Sequence, residues 1–192
     1  EYVIKNDFER FKAVVVGPGL GKTQMARKAV IKFLSATQIP TVVDADALYA
    51  IGQQSIDPSD FGDHVVLTPH DAEYEYLTGH RPQTNRILDV RETAAKLNTV
   101  ILLKGSTTII SHPDGRCLLV NNGDQRLATA GTGDVLSGVI AGLLARGISP
   151  FEAAAAGAWL HAEAGNNCLA EGMIATDIIR VLPEVLDAAN VG

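Results

Sequence analysis

Short apolar runs alternate with amphipathic stretches along this chain. The runs "AVVVG" (13–17), "TVVDAD" (41–46), "HVVLT" (64–68) and "TVILLKG" (99–105) are rich in β-branched residues and read as strands. Residues 22–37, 84–97, 133–146, 150–170 and 174–189 carry apolar positions at helical spacing. "HDAEYEYLTG" (70–79) reads as a shorter helix stopped by Gly79. "TTIIS" and "CLLV", joined by "HPDGR" with its Asp114-Gly115 turn, read as a hairpin. Strands alternating with helices predict an α/β fold with a mostly parallel central sheet. No repeat, low-complexity segment or linker interrupts the pattern, so residues 1–192 are read as one domain.

In open α/β sheets, ligands bind beyond the carboxyl ends of the strands. Here those ends are followed by Gly17-Pro18-Gly19-Leu20-Gly21, Asp44-Ala45-Asp46, Thr68-Pro69-His70 and Lys104-Gly105. The convergence places one polar site on one edge of the sheet. Asp44 and Asp46 follow the second strand, and one of them is expected to reach that site.

The first of these turns resembles a P-loop, but the count is wrong. A P-loop runs from Gly through four residues to Gly-Lys-Ser/Thr. Gly21, Lys22 and Thr23 supply the end, yet the opening glycine would have to stand where Val16 is. Pro18 also removes a backbone N–H that such a loop needs. Lys22 and Thr23 are read instead as the first turn of a helix.

The chain has 192 residues, 46% of them hydrophobic, enough for one sizeable core. Its net charge is −6 and no basic cluster appears, which argues against nucleic acid as a partner. No apolar run is long enough for a membrane span, and the given residues show no basic-then-apolar opening, so an unexported chain is expected. Cys117 and Cys168 stand apart without metal-ligand spacing, and a reduced, cytoplasmic setting is the simplest account. The stretch "EYVIKNDFERF" (1–11) lacks an initiator Met and leads at once into a strand, so a fragment or excised domain is expected.

The most informative stretch is "ATAGTGDVLSGVIAGLLARG" (128–147). Gly131, Thr132 and Gly133 precede a helix, whose N-terminus offers unpaired N–H groups and partial positive charge. Glycines there let a phosphate approach closely. Asp134 is either a first-turn charge or a general base set beside a phosphoryl group. Composition alone does not separate the two.

"GTGDVLSG" resembles the anion-hole signature of the ribokinase-like superfamily. Within it, "VVVGPGLG", "VVDADAL", "LTPHDAEYEYLTG", "ILLKGSTTII" and "LATAGTGDVLSGVIAGLLARG", in this order, resemble the nucleotide-dependent NAD(P)H-hydrate dehydratases. "AAAAGAWLHAEAG" (153–165) continues the match, which covers almost the whole chain. The resemblance implies a three-layer α/β/α fold that lacks the family's N-terminal part, which supplies a first strand and a glycine turn. It also implies a repair reaction. NADH and NADPH that have taken up water on the nicotinamide ring (NADHX and NADPHX) are phosphorylated on the ring hydroxyl by ADP or ATP with Mg²⁺. Phosphate then leaves and the double bond is restored.

By the same resemblance Asp134 is the catalytic base, and Ala130, Gly131, Thr132 and Gly133 form the anion hole. Gly19, Gly21 and His70, with Asp134, contact the hydrated cofactor. Lys104, Gly105, Ser106, Thr107, Thr108 and Gly133 contact the adenine nucleotide. Asp44 and Asp46 order the site or its metal; no metal-ligand set is assigned. The implied partners are the small-molecule substrate, the nucleotide and a hydrate epimerase, fused or separate; the alanine-rich helices, with "AAAAGAW", could serve the subunit interface of a homo-oligomer. The commoner family form has glycine where this chain has Ala130, which is tolerable only if its φ is negative. The rival reading is a ribokinase-like kinase of a small vitamin-precursor alcohol, of the hydroxyethylthiazole or hydroxymethylpyrimidine type. A non-catalytic nucleotide-binding or assembly module is a third.

Plainer roles stand beside these. His70 is a ligand contact, or a loop residue before a helix capped by Thr68 or Asp71. Lys104 is a nucleotide contact or a solvated strand end. His161 is a packed or surface histidine, and His64, His80 and His112 are loop or strand-edge residues. Trp159 is expected in the core, and Gly138 and Gly142 at a close helix contact.

Overall fold

The computed structural model describes residues 10–52 and 62–189. Most of the abrupt opening, residues 1–9, lies outside them. Six strands form one sheet in sequential order: β1 (Val14–Val16), β2 (Thr41–Val43), β3 (Val65–Leu67), β4 (Val100–Leu103), β5 (Thr108–Ser111) and β6 (Cys117–Val120). β1 to β4 are parallel, and β4, β5 and β6 are antiparallel. The hairpin turns where expected, with the His112 N–H donating to the Arg116 carbonyl.

β2, β3 and β4 are buried along their whole length because helices cover both faces. On one face Val42, Val66, Val100, Leu102 and Ile110 pack against α5 (Thr132–Ala145), α6 (Pro150–Asn166) and α7 (Ala175–Ala189). On the other, Val43, Val65 and Leu67 meet α1 (Gln24–Leu34) and α2 (Asp46–Gly52). Ile101, Leu103 and Ile109 meet α3 (Asp71–Thr78) and α4 (Arg86–Leu97). The period-two alternation of strand side chains divides the apolar runs between the layers. Each such side chain contributes about 1.5–3 kcal/mol when fully buried.

The structure corrects four expectations. The second strand stops at Val43, because Ala45 adopts φ 49° and turns the chain. Asp46 then opens α2, a helix not foreseen, so neither Asp44 nor Asp46 lies on the strand. Trp159 is 42% exposed, not core. It lies on the outer side of α6, whose buried positions, Ala154, Gly157, Ala158 and His161 among them, are mostly small. The close contact of α5 with α6 runs through Gly157, where a Cβ would lie 2.7 Å from the Ile140 side chain. Among the described residues, a Cβ on Gly138 or Gly142 would meet nothing within 4 Å. A 3₁₀ turn at Gln125–Ala128 is also new, and it leads into the site.

Candidate active site

α5 begins at Gly131, which has φ 87° and no side chain to cap the helix. Its left-handed backbone favours glycine, and an added Cβ would press on Ala175 at 3.2 Å. Thr132 uses its hydroxyl inward, donating to the carbonyls of Leu127 (2.6 Å) and Thr129 (2.9 Å). That brace fixes the turn and leaves the first-turn N–H groups uncapped by any side chain. Asp134 is exposed on the same turn, and its side chain forms no hydrogen bond or ion pair among the described residues. Ala130 is absent from the residues with positive φ, so its methyl group is accommodated there.

A chain of polar contacts ties this turn to three strand ends. Lys104, just past β4, donates from Nζ to Asp44 Oδ1 at 2.8 Å and lies 3.4 Å from Glu73 Oε2. Asp44, 2% exposed, also accepts from the Ala45 N–H (2.9 Å) and from Ser137 Oγ of α5 (2.7 Å). A Cβ on Gly133 would sit 3.7 Å from the Lys104 ammonium, which therefore stands beside the helix N-terminus. Lys104 is thus no solvated strand end.

His70 caps α3 itself, in place of Thr68 or Asp71. Its Nδ1 accepts from the N–H groups of Ala72 (3.1 Å) and Glu73 (3.2 Å), while Glu73 Oε2 accepts from the His70 N–H (2.9 Å). Acceptance at Nδ1 places the ring proton on Nε2, which lies 3.4 Å from Glu73 Oε1. Thr68 instead donates to the Val43 carbonyl, and Asp71 forms a two-point pair with Arg86 that holds its carboxyl below the usual range.

Two cavities meet at this point. The larger, about 650 Å³, joins polar walls at Lys104, Gly105, Ser106, Thr108, Thr132 and Gly133 to apolar walls at Val120, Leu127, Leu136, Ala158 and Ala162. The smaller, about 570 Å³, shares His70, Lys104, Gly105 and Ser106 and adds Thr107, Arg81 and Arg86. His161 lines the larger one. It is 6% exposed, burial pushes its pKa down to about 4, and among the described residues its Nε2 has no hydrogen-bond partner. Of the residues expected at the site, His70, Lys104 to Thr108, Thr132 and Gly133 are brought together. Asp134, Gly131 and Ala130 lie on the same turn but outside the cavity walls. Gly19 and Gly21 belong to the turn after β1 and line neither cavity.

That first glycine turn is occupied otherwise. The Gly21 N–H donates to Asp46 Oδ2 at 2.8 Å, and Thr23 caps α1 by accepting from the Ala26 N–H. The Lys22 ammonium lies over the rings of Tyr49 (4.9 Å) and Tyr76 (5.3 Å). Asp46 therefore orders this turn.

Glu73 and Ser137 were not singled out from sequence. A serine on the buried side of an apolar helix, three residues after Asp134, was the available signal.

Both oxygens of Asp44 are already engaged, and Asp124 is held by Arg126. Among the described residues no three metal-ligating side chains come together. Mg²⁺ commonly rests on substrate phosphates, waters and one or two carboxylates. The residues present fit an ion of that kind, with Asp134 as the unengaged carboxylate.

A three-layer α/β fold, with a glycine turn and an open helix N-terminus facing a mostly apolar cavity with a polar end, defines a ribokinase-like protein. The family model for NAD(P)H-hydrate dehydratase matches residues 2–184, and the chain belongs to that family. It is 40% identical over 182 residues to the bifunctional NAD(P)H-hydrate repair enzyme Nnr of Moorella thermoacetica, covering 90% of this chain and 34% of that protein. The chain thus spans about a third of that relative. It is 38% identical over 177 residues to an ADP-dependent (S)-NAD(P)H-hydrate dehydratase of Neisseria meningitidis, covering 86% and 60%. The structure of the ADP/ATP-dependent NAD(P)H-hydrate dehydratase of Bacillus subtilis, co-crystallised with ATP/Mg²⁺, superposes with TM-score 0.83 at 32% identity, covering 97% and 68%.

Proposed function

We propose that this chain carries the nucleotide-dependent dehydration of (S)-NADHX and (S)-NADPHX. The observation that supports it most is the uncapped N-terminus of α5, with Gly133 in the cavity wall, Lys104 beside it and a free Asp134 on the same turn. Asp134 takes the proton of the ring hydroxyl, whose oxygen attacks the terminal phosphorus of ADP or ATP. The bond from that phosphorus to the bridging oxygen breaks, leaving AMP or ADP. The phosphorylated ring carbon then loses phosphate with the C–O electron pair, and the adjacent carbon loses a proton. The ring double bond returns.

Hydroxide is a poor leaving group and phosphate a good one, which is the purpose of the transfer. The N–H groups at the start of α5 receive the transferring phosphate, where preorganised donors give most of the stabilisation in such sites. Ala130 to Thr132 shape that turn. The apolar end of the larger cavity suits the nucleobase, with Lys104 to Thr108 along the phosphates. His70, in the wall of both cavities, contacts the hydrated ring, and the turn carrying Gly19 and Gly21 forms a wall on the substrate side. Mg²⁺, when bound, offsets phosphate charge.

Among the described residues no helix is long and apolar enough to cross a membrane; a cytoplasmic setting belongs to the proposal. So do a homo-oligomer and a hydrate epimerase partner, the latter supported by the bifunctional name of the Moorella relative.

The test mixes the chain with hydrated NADH, Mg²⁺ and ADP or ATP, and follows the near-ultraviolet absorbance of reduced nicotinamide together with phosphate release. Recovery of absorbance with one phosphate per NADH is expected. Nucleotide consumption with a vitamin-precursor alcohol, and none with the hydrate, would establish the kinase instead. Nucleotide binding without turnover would leave a binding module.

A further inference from the structure

Resting on that reading, we propose that Asp44 and Glu73 are positioning residues that hold the Lys104 ammonium against the phosphates of the bound nucleotide, and that Glu73 extends the restraint to His70. Lys104 and His70 line both cavities, whereas Asp44 and Glu73 line neither. A ligand therefore meets the ammonium, with the two carboxylates behind it. The ammonium donates to Asp44 at 2.8 Å and pairs with Glu73 at 3.4 Å, and the Gly133 Cβ position lies 3.7 Å from Nζ.

Asp44 is buried where an unpaired carboxylate would be strongly destabilised. Ser137 and the Ala45 N–H take up its remaining acceptor capacity, so it has little freedom to turn away from Lys104. The contacts join the ends of β2 and β4 to the second turn of α5 and the first turn of α3. A long, flexible lysine is thereby ordered before any phosphate arrives, which lowers the entropy lost on binding. Glu73 Oε2 also accepts from the His70 N–H, and its Oε1 lies 3.4 Å from His70 Nε2. One carboxylate thus touches the cation on the nucleotide side and the imidazole on the substrate side.

The test is ADP titration by calorimetry on the full chain and on Lys104→Met, Asp44→Asn, Glu73→Gln, Ser137→Ala and the Asp44→Asn/Lys104→Met pair. Lys104→Met and Asp44→Asn should each weaken ADP about tenfold or more, in the range of truncated charge pairs. The paired variant should bind no worse than Lys104→Met alone, because the carboxylate acts through the lysine. Ethylammonium added to Lys104→Ala should restore ADP affinity where Asp44 is retained, and fail where it is Asn. Unchanged affinity in Asp44→Asn and Glu73→Gln, or losses that multiply in the pair, would overturn the proposal. If circular dichroism shows Asp44→Asn unfolded, Glu73→Gln and Ser137→Ala carry the test, each expected to weaken ADP while the melting profile holds. Hydrated NADH is assayed in parallel. The expected ADP pattern without cofactor recovery would sustain the clamp and remove the repair reaction.

Discussion

Two glycine turns in this chain lead into helices, and they serve opposite purposes. "GPGLGKT" (17–23) enters α1 and "AGTGD" (130–134) enters α5. In the first, the Gly21 N–H is taken by Asp46, Thr23 caps the helix, and Lys22 lies over two tyrosine rings. In the second, no side chain caps the helix, the threonine is turned inward, and the turn borders a cavity. A glycine turn before a helix becomes an anion site only where the N–H groups stay free and a space faces them. The first turn is closed by its own neighbours, and the second is left open.

Changes in the two turns should therefore fail in different ways. Asp134→Asn should lower turnover by about 10²–10⁴-fold, the usual loss for a general base, with the thermal melt unchanged. Gly17→Ala should act on folding instead. Gly17 has φ 131°, and a Cβ there would lie 1.7 Å from the Asp44 carbonyl oxygen, so a loss of several kcal/mol in urea unfolding is expected.

Acid should weaken the region around the open turn. His161 has a folded pKa of about 4, lowered by burial from the free value of 6.5. The unfolded chain then binds more protons below pH 6.5, and stability falls as pH drops toward about 4, by about 3 kcal/mol in total. His64, lowered by burial too, acts in the same direction. Urea midpoints across that window should slope down, and His161→Gln should flatten the slope. Thr23→Ala, which removes the cap of the closed turn, should cost about 1 kcal/mol and leave turnover intact.

Much of this comparison was legible in the residues. The four parallel strands, the hairpin and the long helices follow from apolar periodicity, which burial between helix layers enforces. The spacing of Gly17, Gly21 and Lys22 already argued against a phosphate cradle, and "AGTGD" already suggested one. Pairings between segments distant in sequence were not legible. The short helix at Asp46 depends on Ala45 adopting φ 49°, which no local pattern announces. Nothing around Glu73 announces Lys104, 31 positions away in sequence, which lies beside it in the fold. Ser137 looked like a stray polar residue until Asp44 faced it. The exposure of Trp159 reversed an expectation based on residue type, because small residues had taken the inner face of α6.

The most direct measurement compares recovery of reduced-nicotinamide absorbance from hydrated NADH by Lys22→Ala and Asp134→Asn, with Mg²⁺ and saturating nucleotide. Lys22→Ala should remain within about threefold of the unmodified chain, since its ammonium rests on tyrosines, while Asp134→Asn should fall by at least about a hundredfold. An inactive Lys22→Ala beside an active Asp134→Asn would contradict the placement of the phosphate chemistry at α5 and return it to the first turn.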